Sequence, residues 1–116
     1  MTVSMDKDFN KSVGMRIRKI REKMNMTREE FSVMTDVSES FLAAVENGTK
    51  GISAQTVYKI CSSTNVTSDY IVLGKNDDME STLLINGLIW ELDETLREGA
   101  YNILKEYVKA VKKTQK

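Results

Sequence analysis

Apolar residues recur at helical spacing along most of the chain. Between residues 11 and 24, Val13, Ile17, Ile20 and Met24 form one stripe, while Arg16, Arg18, Lys19, Arg21 and Lys23 fall largely on the other faces. This is the pattern of an amphipathic helix with a solvated basic side. Residues 1–10 are polar and are expected to fray. A second helix is expected to open at Thr27, with Glu30 three residues on completing a capping box, and to run to about Met34 with Phe31 and Met34 inward. Thr35-Asp36-Val37 breaks it, because Asp accepts turn and left-handed conformations better than most residues. Ser38 caps a third helix reaching about Glu46, with Phe41, Leu42 and Val45 inward, and Gly48 supplies the positive φ that ends it. Ser53 caps a fourth helix over about 54–63, and Thr67 caps a short fifth helix that Gly74 stops.

Lys75-Asn76-Asp77-Asp78 reads as a polar linker, which divides the chain into residues 1–75 and 76–116. Two more helical patterns follow, at about 79–92 and 94–113, with Asp93 as the N-cap of the second. They suit an αα-hairpin; one long helix through Leu92 and Asp93 is the competing reading. No strand pattern occurs, so the expected fold class is all-α: a five-helix domain followed by a C-terminal helical pair. The absence of proline and the small number of glycines, six in 116 residues, agree with that class.

Composition narrows the function. Seventeen basic and seventeen acidic residues cancel, which excludes a globally basic nucleic-acid binder but leaves room for a local basic face. The charges are uneven: residues 1–26 carry seven basic and three acidic side chains, and residues 76–93 carry five acidic and no basic ones. With no histidine and a single cysteine, Cys61, neither a nucleophile–base pair nor a set of metal ligands is apparent, so no enzyme activity, metal or cofactor is expected. Gly48-Thr49-Lys50-Gly51 lacks phosphate-loop spacing. Cys61 reads as a small buried hydrophobe. The lone cysteine, the lack of a membrane-length apolar run and the lack of a signal-peptide core point to a cytoplasmic protein with no membrane partner.

The informative feature is a pair of short capped helices around a tight turn, flanked by one helix before and two after. Such an arrangement can offer the second helix of the pair to a DNA groove. The residues also carry a resemblance. Val13-Gly14-Met15-Arg16-Ile17-Arg18-Lys19-Ile20-Arg21-Glu22, Met26-Thr27-Arg28-Glu29-Glu30-Phe31-Ser32 and Val37-Ser38-Glu39-Ser40-Phe41-Leu42-Ala43-Ala44-Val45-Glu46-Asn47-Gly48 resemble the first three helices of the Cro/C1-type (XRE, phage-repressor-like) helix-turn-helix family. Val57-Tyr58-Lys59-Ile60-Cys61 and Val66-Thr67-Ser68-Asp69-Tyr70-Ile71 are similar to its fourth and fifth. The resemblance implies that Ser38, Glu39, Ser40, Ala43 and Ala44 meet base edges. It also implies that Thr27, Arg28, Asn47 and Lys50 meet phosphates, and that Arg21 and Glu46 form a structural ion pair. The chain departs from the family pattern in lacking Gln, Arg or Lys at the recognition positions, and in carrying Asp36 where Gly is usual.

The C-terminal segment is richer in large apolar residues than a hairpin can bury on itself. Leu84, Leu88, Trp90, Leu92, Leu96, Ile103, Leu104 and Tyr107 are expected to line a homodimer interface; folding back on the first domain is the other way to bury them. The functional expectation is a sequence-specific transcriptional regulator, a repressor by type, that acts as a homodimer on double-stranded operator DNA. The alternative is a helix-turn-helix module that binds a protein partner, of antitoxin or anti-repressor type.

Overall fold

The computed structural model describes residues 3–75 and 79–114, and every regular element among them is helical: α1 (Val3–Lys23), α2 (Arg28–Thr35), α3 (Glu39–Glu46), α4 (Ala54–Thr64), α5 (Ser68–Leu73), α6 (Met79–Trp90) and α7 (Glu94–Thr114). The helices start where side-chain oxygens replace missing backbone partners. Thr27 Oγ1 accepts from the Glu30 N–H at 3.1 Å while the Thr27 N–H donates to Glu30 Oε1 at 2.9 Å, the reciprocal pair of a capping box. Ser38, Ser53 and Thr67 each accept one N–H three residues on. Gly74 ends α5 in the left-handed region, and Gly48, at φ 77°, turns the chain just after α3, as expected. Asn65 and Asp36 end α4 and α2 in the same conformation.

The apolar stripes meet in one core. Val13, Ile17 and Ile20 of α1, Phe31 of α2, Leu42 and Val45 of α3, Ile60 of α4, and Tyr70 and Ile71 of α5 are buried together. Each such side chain contributes about 1.5–3 kcal/mol from burial. Two glycines set the closest approaches. A Cβ on Gly14 would collide with the backbone oxygen of Val45, so α1 and α3 touch almost main chain to main chain. A Cβ on Gly87 would lie 2.8 Å from the Met24 carbonyl oxygen, so α6 also lies close to the chain just after α1. Buried Thr35 and Thr64 donate their hydroxyls to the carbonyls of Phe31 and Ile60, both at 2.7 Å, which satisfies them without an outside partner.

Two features depart from the sequence expectations, and a third chooses between two of them. The first helix starts at Val3 rather than near residue 11. Its added turns run beside the loop after α3, where Lys11 and Asn10 lie against Gly48 and Gly51. Arg16 is not simply solvated: its Nη1 donates to the carbonyls of Ile71 and Val72 at 2.9 and 3.1 Å, capping the C-terminus of α5 with a cation. The C-terminal pair breaks between Trp90 and Glu94, where Asp93 Oδ1 accepts the Thr95 N–H at 3.0 Å. The two helices are thus the expected C-terminal pair and not one long helix, although no residue of α7 is buried.

Helix α6 docks on the five-helix body. Leu83 is fully buried, and Asn86 Nδ2 donates to the Thr64 carbonyl at 2.7 Å. Residues 76–78, the linker expected between the two segments, lie outside the described residues. The described molecule measures 55 × 33 × 20 Å, and α7 is about 31 Å long at 1.5 Å per residue.

Candidate nucleic-acid interface

Helix α3 is held from behind and left open in front. Leu42 and Val45 anchor it in the core, and the side chain of Glu46 is wholly buried at its C-terminal end. By helical register Glu39, Ser40, Ala43, Ala44 and Asn47 share the opposite side, where they are exposed or half-exposed. The five positions expected at base edges therefore include four on one outward face. Ser38, the fifth, is exposed at the N-cap, and its Oγ already accepts the Phe41 N–H at 3.2 Å, so it keeps its hydroxyl proton for a second contact.

The expected phosphate contacts form two groups. Thr27 and Arg28 stand at the start of α2, where the first amides are directed outward and the helix dipole is positive. Asn47 and Lys50 are exposed after α3, in a loop shaped by Thr49, whose N–H and Oγ1 both donate to the Ala44 carbonyl at 3.0 Å. These groups are linked through Glu46. Arg21 grips its carboxylate with two bonds, Nε to Oε2 at 2.7 Å and Nη2 to Oε1 at 2.9 Å, which is the expected ion pair. Arg28 adds a third, Nε to Oε1 at 3.2 Å. Arg28 is thus fixed beside the C-terminal end of α3, next in sequence to Asn47, while its exposed remainder can still face an anion.

Electrostatics follow from this geometry. Burial opposes ionisation of Glu46, but the hydrogen bonds and charges of Arg21 and then Arg28 outweigh it and hold the carboxyl below the usual carboxylate range. The Glu46 hydrogen bond likewise raises Arg21 against the effect of burial. The turn between α2 and α3 is braced from outside. Asp36, where the family usually has glycine, sits at φ 60° in the left-handed conformation, and Lys59 Nζ donates to its carbonyl at 2.9 Å. Neither the second partner of Glu46 nor the Lys59 brace was visible in the sequence, because both join residues far apart in the chain. Cys61 is half-buried, and desolvation pushes its thiol up, away from reactivity.

The residues expected at a dimer interface divide into two kinds. Leu84, Leu88, Leu92, Leu96, Ile103, Leu104 and Tyr107 are exposed, up to 75% for Ile103. Trp90 is half-buried: it packs against the core, and the Arg97 guanidinium stacks 3.9 Å from its ring centroid. Among the described residues no helix is long and apolar enough to cross a membrane.

Comparison with known proteins bears on this arrangement. Residues 17–71 match the family model described as helix-turn-helix. Among curated proteins, the antitoxin PezA of Streptococcus pneumoniae serotype 4 (strain ATCC BAA-334 / TIGR4) is 30% identical over 97 residues, which cover 79% of this chain and 56% of that protein. The chain thus spans little more than half the length of that relative. No solved structure matches significantly. With α2 and α3 forming the capped pair and α1, α4 and α5 supporting it, the segment from 17 to 71 belongs to the Cro/C1-type helix-turn-helix family of DNA-binding regulators.

Proposed function

We propose that this protein is a sequence-specific transcriptional repressor that binds operator DNA as a homodimer, with α3 in the major groove and the α6–α7 segment joining the two copies. The observation that carries the reading is the outward face of α3. Glu39, Ser40, Ala43, Ala44 and Asn47 stand clear of a core that locks the helix from behind. A carboxylate can accept from cytosine N4, a serine hydroxyl can pair with several base edges, and alanine suits a thymine methyl. Thr27, Arg28, Asn47 and Lys50 serve as phosphate anchors around that face. Dimerisation is supported by the exposed apolar residues of α6 and α7, and a symmetric pair would set two recognition helices about 34 Å apart on a palindrome.

Titration on DNA from upstream of the protein's own coding region, at several salt concentrations, tests this reading. Affinity should fall steeply with salt, because neutralised phosphates release counterions. Glu39→Arg should change the preferred sequence and the affinity. Unchanged binding by that variant would remove α3 from the groove.

A second reading is favoured by one observation, that a curated relative is named an antitoxin. In that reading the apolar tail takes a protein partner in place of, or besides, a second copy. A chain that is monomeric alone, and that binds DNA only with a partner present, would favour it.

A further inference from the structure

A groove of about 410 Å³ opens between α2 and α6, beside the turn that joins α1 to α2. Its apolar surface comes from Met26, Val33 and Trp90, and three carboxylates, Glu29, Glu30 and Glu91, stand around it; among the described residues no basic side chain lines it, although the Arg97 guanidinium stacks on the Trp90 ring. Val33 is 76% exposed, which is unusual for valine on a helix that belongs to a core. Leu84 and Leu88 continue the apolar surface along α6, since Leu88 lies one helical turn before Glu91 on the same side.

An occupant that fits must be apolar on one side and basic at its border. The chain carries such an element in α7. Leu96, Ala100, Ile103, Leu104, Tyr107, Val108 and Val111 make one stripe, yet no residue of the helix is buried. Tyr101, Lys105, Val108 and Lys112 follow at i, i+4, i+7 and i+11, which sets two lysines directly beside the stripe. Lys109 and Lys113 add charge to the same half, against a single acidic residue, Glu106. Lysine stems can lie along apolar surface while their ammonium groups reach a carboxylate rim.

We propose that α7 of a second copy of this chain occupies the α2–α6 groove, and that the exchange is reciprocal about a two-fold axis. Each copy then donates one basic amphipathic helix and receives one on an acidic, apolar seat. The inference rests on the homodimer reading above and specifies its interface: helix in groove, in place of α7 against α7.

Charge-block variants of the full chain test it. The first carries Glu29→Lys and Glu91→Lys; Glu30 is kept because it caps α2. The second carries Lys105→Glu, Lys109→Glu and Lys112→Glu. All these residues are exposed, and circular dichroism verifies that each variant remains helical. By sedimentation, each variant alone should dimerise about 100-fold more weakly than the parent, because like charges face each other across both copies of the seat. An equimolar mixture should recover dimers, since both contacts of the mixed pair are then between opposite charges. A third variant with both blocks in one chain should also dimerise.

If the first variant dimerises as tightly as the parent, the groove is not the seat and the inference fails, although the homodimer survives. Failure of both the mixture and the third variant to recover dimers overturns it as well. A parent chain that stays monomeric at about 100 µM overturns both the inference and the homodimer reading, since any dimer with a Kd below that concentration would form there. DNA titration separately tests the placement of α3.

Discussion

Glu46 shows how much a single buried carboxylate can organise. Two arginines from different helices converge on it, and through it the start of α2 is tied to the end of α3, the two helix ends that the proposed DNA reading uses. Removing one partner of a buried ion pair leaves the others uncompensated, so Glu46→Ala should destabilise the fold by about 3 kcal/mol in urea melts. The same carboxyl predicts an acid limb. Its folded pKa is lowered, so its contribution is present above the unfolded carboxylate pKa and is lost as pH falls through the lower folded value. Urea midpoints of the parent should therefore drop in the acid range below that of an ordinary glutamate. Glu46→Gln should lose that part of the pH dependence while being less stable at neutral pH. Lys50 makes a different kind of residue-scale prediction. If it meets a phosphate, Lys50→Ala should weaken all DNA sequences alike and lower the salt slope by about one.

The helices are held by close approach as much as by apolar area. Alanine ordinarily favours a helix over glycine by about 1 kcal/mol. At Gly14 that preference is overridden, because the added methyl would meet the Val45 carbonyl. Gly14→Ala should therefore lower the thermal midpoint, and Gly87→Ala should do the same by pushing α6 off Met24. Both effects are opposite in sign to helix propensity, so calorimetry separates steric from propensity control. The helix-turn-helix elements were legible beforehand because their signals are local: Thr27 with Glu30, Ser38, and Gly48 sit within three or four residues of what they cap. The first turns of α1 were not legible. Residues 1–10 are polar, and the contact of Asn10 and Lys11 with the loop at Gly48–Gly51 is a matter of tertiary proximity.

At the scale of the whole molecule, α6 belongs with the body and α7 stands apart from it. Leu83 is fully enclosed, and truncating such a leucine costs about 2–5 kcal/mol. Ending the chain after Asp93 should thus leave a folded unit, whereas ending it after Lys75 should uncover part of the core and unfold at lower temperature. Under the dimer reading, the longer truncation product is also monomeric and binds a palindromic site more weakly than the full chain, a contrast that light scattering and DNA titration read directly. The division of the chain between residues 75 and 76 is a proposal that these two products compare.

The sequence alone determined the all-helical class, the order and caps of the helices, and the identity of the turn-flanked pair, because hydrophobic period and capping chemistry act over distances of a few residues. The resemblance to the helix-turn-helix family, carried by residues of the sequence, also implied which positions of α3 face outward. Only the tertiary structure decided that Arg28 joins Arg21 on Glu46, that Lys59 braces the turn at Asp36, and that α6 but not α7 is seated on the core. Such contacts need residues far apart in the chain to be brought within reach, as Arg16 and Val72, 56 positions apart, also are. Packing of the complete chain supplies that proximity, and no periodicity encodes it.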